Sequence, residues 1–94
     1  MERLLKALEQ LYAYEDDVAV CGENGEYFSN VDERWEAEGL CNELLITESG
    51  GCNWSNIDIL RNNGYLVYPG EKDSFGWIIG VVQKRGDKRK LLFG

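Results

Sequence analysis

The chain has 94 residues, with 17 Asp/Glu, 10 Lys/Arg, no histidine and a formal net charge of −7. Its 44% apolar and 12% aromatic content is enough for one folded domain over residues 1–94 and excludes a disordered chain. No run approaches the ~20 apolar residues of a membrane helix, and Met1-Glu2-Arg3-Leu4 does not open a signal peptide, so a cytoplasmic protein without membrane contact is expected.

The first element is an amphipathic helix over residues 2–13. Leu4, Leu5, Leu8, Leu11 and Tyr12 fall on one stripe, while Glu2, Arg3, Lys6, Glu9 and Gln10 fall elsewhere. Glu15-Asp16-Asp17 ends it, because anions are disfavoured near a helix C-terminus. Val18–Cys21 reads as a short strand, Gly22-Glu23-Asn24-Gly25 as a hairpin turn, and Tyr27-Phe28 as the returning strand.

Asn30 with Glu33 three residues later resembles a capping box. It predicts a second helix from Val31 to about Cys41, with Ala37, Leu40, Cys41 and Leu44 on one face. Gly39 weakens that helix by about 1 kcal/mol. Residues 44–47 fit a helix end or a strand. Ser49-Gly50-Gly51 is a loop, and Ser55 followed by Asp58 predicts the N-cap of a short third helix. That helix stops at Asn62-Asn63-Gly64, with Gly64 just past its end.

Tyr65–Tyr68 is a strand, and Pro69-Gly70 a turn. Phe75–Gln83 is the longest strand, apolar enough for a central position covered on both faces. Arg85-Gly86-Asp87 turns the chain into a last strand, Lys90–Phe93. The expected fold is α+β: a C-terminal three-stranded antiparallel meander, joined by the N-terminal strands if these form, packed by two or three helices.

Charge is unevenly divided. Residues 1–50 sum to −10 and residues 51–94 to +3. Between Glu15 and Glu48 there are eleven acids and one base, Arg34. On the second helix Asp32, Glu36 and Glu43 share a narrow stripe, and Asp32 to Glu36 rises about 6 Å. That step is comparable to the phosphate spacing along one nucleic-acid strand, though sparser than a duplex. The expected contact surface is therefore Asp16, Asp17, Asp32, Glu33, Glu36 and Glu43. Trp35, off the apolar stripe, is the aromatic anchor. The expected partner is a protein with a basic surface. The net charge of −7 opposes direct nucleic-acid binding.

In size, charge and lack of catalytic residues, the chain resembles small acidic proteins of phages and mobile elements that disable a host nucleic-acid enzyme, such as CRISPR inhibitors and other DNA mimics. The resemblance implies a non-enzymatic inhibitor that occupies a basic nucleic-acid site. No specific motif carries it. A second expectation is a homo-oligomer, in which Lys84–Lys90 of one copy meets the acidic half of another.

Enzyme readings are weaker. No histidine is present for acid–base work. Cys21, Cys41 and Cys52 fit neither a disulfide framework nor a zinc site and read as reduced apolar side chains. Asp73 through Gln83-Lys84-Arg85 faintly matches a metal-dependent nuclease pattern. Arg85 stands at its lysine position, and the upstream acid is missing. No cofactor or metal is expected. Trp54, Tyr65, Tyr68, Phe75 and Trp77 beside Lys84–Lys90 could stack single-stranded nucleic acid, although Tyr65 and Trp77 suit the core. The segments Cys52–Ser55 and Pro69–Asp73 suggest a pair of recognition loops at one sheet end.

Overall fold

The computed structural model describes residues 1–14, 28, 30–72 and 78–93. The expected strand Val18–Cys21, the turn Gly22–Gly25, Tyr27, the acidic run Glu15–Asp17 and residues 73–77 lie outside these. The described residues form a small α+β domain. Its order is α1 (Glu2–Tyr12), α2 (Val31–Leu45), α3 (Trp54–Asn62), β1 (Tyr65–Lys72), β2 (Ile78–Lys84) and β3 (Leu91–Phe93). No described helix is long and apolar enough to cross a membrane.

Helix α1 follows its periodicity. Leu4, Ala7, Leu8, Leu11 and Tyr12 are buried, and Leu5 packs half-buried against them. Helix α2 turns Ala37, Leu40, Cys41 and Leu45 into the same core. It continues through Leu45, one turn beyond the expected end. Ile46 then becomes extended and bridges Cys52. The intervening loop folds on itself. The Thr47 N–H donates to Gly51 O at 2.8 Å, Gly51 N–H donates to Thr47 Oγ1 at 2.9 Å, and Gly50 takes φ 82°. Residues 44–47 are thus helix, then bridge, then turn.

The α3 cap is Asn53 and not Ser55. The Asn53 side chain accepts from the Asn56 N–H at 3.3 Å, and the helix begins at Trp54. Asparagine caps as well as serine does. The Asn53 N–H also donates to Leu45 O at 2.8 Å, which places it at the α2 exit. The far end is as expected, with Gly64 at φ +88° where a side chain would be strained.

The sheet is an antiparallel meander in the order β1-β2-β3. Val67 pairs with Val82, and Val82 with Leu91. This row is buried against the helices with Tyr65. Strand β2 is central, but its two faces are not equally covered: Val82 is buried while Val81 is half-buried. Pro69-Gly70 is not a turn. β1 runs through it to Lys72, with a register shift between Pro69 and Lys72. β1 is an edge strand, where a residue without an N–H and an irregular register are tolerated. Arg61 covers part of that edge by donating to Val67 O at 2.9 Å. The expected loop pair is therefore absent among the described residues. Asn53–Ser55 start a helix and Pro69–Lys72 belong to a strand.

The hairpin after β2 carries a clasp that joins the two ends of the chain. Gly86 takes φ +85° in the turn. Arg89 then forks onto Asp87, with Nε to Oδ1 at 3.0 Å and an Nη to Oδ2 at 2.7 Å. The same guanidinium donates to Tyr12 O and Tyr14 O, the open carbonyls at the C-terminal end of α1. It lies 5.4 Å from the Tyr12 ring centre and 5.3 Å from that of Phe28. The Tyr12 hydroxyl shares its proton between Val82 O at 3.0 Å and Arg89 O at 3.1 Å. Burial holds that phenol far above its ordinary pKa.

Candidate functional site

Five residues of α2 face away from the core along one line: Asp32, Trp35, Glu36, Gly39 and Glu43. All are exposed. Their spacings of three, four and seven residues put them on one side of a 3.6-residue helix. From Asp32 to Glu43 the stripe runs about 16 Å. The opposite side of the helix is Ala37, Leu40, Cys41 and Leu45, so the apolar face sets the direction of the acidic one.

Trp35 is 65% exposed, the most of any large apolar side chain described. Val31, one turn earlier, is 45% exposed and extends the apolar strip. A surface Trp over half open to water, flanked by carboxylates, has the composition of an interface anchor rather than a core residue. Sequence periodicity placed Trp35 off the core. It missed Val31, whose neighbour Asn30 caps the helix by accepting from the Glu33 N–H at 3.4 Å.

Three expected contact residues are not on this stripe or lie outside the described residues. Glu33 is not part of the outward stripe. It is half-buried, and its carboxylate accepts the Tyr14 hydroxyl at 3.0 Å across 19 positions of chain. That bond holds the Tyr14 phenol above its ordinary pKa. The capping box is thus half formed: Asn30 caps, while the Glu33 side chain is engaged by Tyr14. Asp16 and Asp17 lie outside the described residues.

Cations border the stripe on one flank. A groove of about 280 Å³ between α1 and α2 is lined by Arg3, Lys6, Ala7, Gln10 and Glu36. Neither cation is ion-paired to Glu36.

Gly39 sits mid-stripe and has no packing reason within the chain. A Cβ built there meets nothing within 4 Å, and its φ is ordinary. Gly39→Ala should therefore stabilise the fold by about 0.5–1 kcal/mol. Urea unfolding followed by far-UV circular dichroism should show a raised midpoint at constant slope. A lower midpoint would mean that the fold requires the glycine.

Catalytic constellations are sparse. Among the described residues, no group of three or more Cys, Asp or Glu is placed to hold a metal. Asp73 lies outside the described residues. Cys41 is fully buried, and burial, with Glu38 adding to it, pushes its thiol up to about 12. It packs as a small apolar side chain. Cys52 is a second free thiol, half-buried at its bridge to Ile46. Tyr65 is buried, whereas Trp54 and Tyr68 are 55% and 56% exposed. Trp54 stacks with Arg61 at 5.8 Å, and Arg61 reaches Asp58 at 4.0 Å. No protein-family model, curated protein or solved structure matches the chain.

Proposed function

We propose that the chain is a non-enzymatic protein-binding module whose contact face is the outward stripe of α2, and whose partner presents a basic surface. The observation that carries this reading is Trp35, 65% exposed in a line of carboxylates. Magnitudes favour the tryptophan over the charges as the source of affinity. Duplex DNA carries one charge per about 1.7 Å, so 16 Å of it holds about nine, against three carboxylates on the stripe. Such a sparse row steers and orients a partner rather than imitating a polyanion. Burying the exposed part of an indole is worth about 2–3 kcal/mol at ~25 cal/mol per Å².

A host-enzyme inhibitor of phage or mobile-element type is a narrower form of the same reading. It requires that the occupied surface be a nucleic-acid site, in which case DNA should compete with the chain for it.

The test is capture from a lysate on immobilised wild-type chain, Trp35→Ala and the double variant Asp32→Lys/Glu36→Lys, all verified as folded. The expected result is a protein held by wild type and lost by both variants. Trp35→Ala should weaken its Kd by about 30–150-fold. The affinity should also fall steeply between 50 mM and 300 mM salt. Equal retention by all three proteins would reduce the stripe to a solvated helix face.

A further inference from the structure

The outer face of the sheet is the second large surface that no described element covers. Leu66, Tyr68, Val81 and Leu92 alternate with the core residues Tyr65, Val67, Val82 and Leu91, so they face away from the three helices. Tyr68 pairs with Val81, and Val81 with Leu92, forming an apolar row across all three strands. Tyr68 is 56% exposed. At one end of the sheet, the turn after β2 presents Arg85 and Lys88, both exposed and in no ion pair among the described residues. The only acid in that turn, Asp87, is already neutralised by Arg89.

This surface calls for an occupant with an apolar ring and several carboxylates. The chain carries one itself: the α2 stripe, with Trp35 among Asp32, Glu36 and Glu43. We infer that a second copy of the chain docks its α2 stripe on the outer sheet face, Trp35 against the Tyr68–Val81–Leu92 row and the carboxylates towards Arg85 and Lys88. The inference rests on the reading of α2 as a protein-contact face, and names the partner for it.

Both surfaces point away from the core of their own copy, so they cannot meet within one molecule. The contact is head-to-tail, and each added copy leaves one surface of each kind open. The net charge of −7 makes copies repel at long range. At about 0.15 M salt the screening length is ~8 Å, so distant charges drop out while those in contact still attract. Association is therefore present near physiological salt and lost at about 1 M.

The experiment is sedimentation velocity on the full chain over a concentration series at both salts. Two charge-reversed variants accompany it, Asp32→Lys/Glu36→Lys and Arg85→Glu/Lys88→Glu. Wild type should self-associate at the lower salt. Each variant alone should associate at least tenfold more weakly, because its two surfaces then carry like charge. An equimolar mixture of the variants should recover association, since each supplies the complement that the other lacks. Misfolding would not produce that recovery. A wild-type monomer at every concentration and salt, or a mixture that stays monomeric, overturns the inference. If the chain is monomeric but the α2 variants still lose a captured protein, only the self-docking fails. If the α2 variants change neither measurement, the contact-face reading fails with it.

Discussion

Replacing Leu8 with alanine is expected to lower the unfolding free energy by about 3–5 kcal/mol, the range for emptying a fully buried leucine site. Leu8 has no exposed surface and lies mid-stripe on α1, in the cluster with Ala37, Leu40 and Leu60. A chain of 94 residues has roughly 5–14 kcal/mol of stability in total. The substitution therefore removes a large share of it, and leaves a part of the population unfolded if the chain sits at the lower end. Leu5 is the internal comparison, because it is only half-buried one turn earlier. Leu5→Ala should cost less than half as much. Urea unfolding read by circular dichroism decides between them. Equal losses at the two positions would mean that α1 does not dock through the Leu4–Leu8–Leu11 stripe.

Arg89→Ala should cost about 2–4 kcal/mol, although arginine is a residue type whose loss from a surface is usually minor. Here the side chain is 17% exposed and its Asp87 partner 21%. Removing it leaves a partly buried carboxylate without its fork. It also leaves Tyr12 O and Tyr14 O without their donor. Arg89→Lys should recover less than half, since one ammonium cannot span a carboxylate and two carbonyls.

The pH dependence supplies a separate reading. The hydrogen bond from Arg89 is the largest cause holding the Asp87 carboxyl below its ordinary value. A depressed folded pKa means that the clasp contributes fully above the unfolded carboxylate pKa, about 3.9. The contribution disappears as pH falls through the lower folded value. Wild type should therefore lose more stability than Arg89→Ala does on acidification below about pH 4. Parallel acid curves for the two proteins would show that Asp87 is not coupled to Arg89.

Much of the fold was legible because its signals are local. The α1 stripe, the Asn30 cap, the positive-φ Gly64 and the three-strand meander each rest on residues within a few positions of one another. The misplaced features have a common cause. Ser55 and Asn53 are both competent caps, and the choice was made by Asn53 bonding to the α2 exit. Pro69-Gly70 has turn composition, yet the edge position of β1 let the strand absorb it as a register shift. Of the candidate contact residues, Asp32, Trp35, Glu36 and Glu43 share a face simply because helix geometry puts them there once Leu40 and Cys41 turn inward. Glu33 belongs to the same acidic run, but Tyr14 takes it out of the outward stripe.

The order of residues alone determined three helices, a C-terminal meander and a negative α2 stripe, because periodicity and capping act over one or two turns of chain. Folding in three dimensions decided where the remaining charges went. Arg89 reads as one of five cations in a basic run, and Glu33 as one of eleven acids. Each acquires a partner far away along the chain, 75 and 77 positions for Arg89 and 19 for Glu33. No local pattern records such a meeting. It exists only once the cores of α1, α2 and the sheet have closed around the same apolar cluster, and it determines which charged groups remain open to a partner.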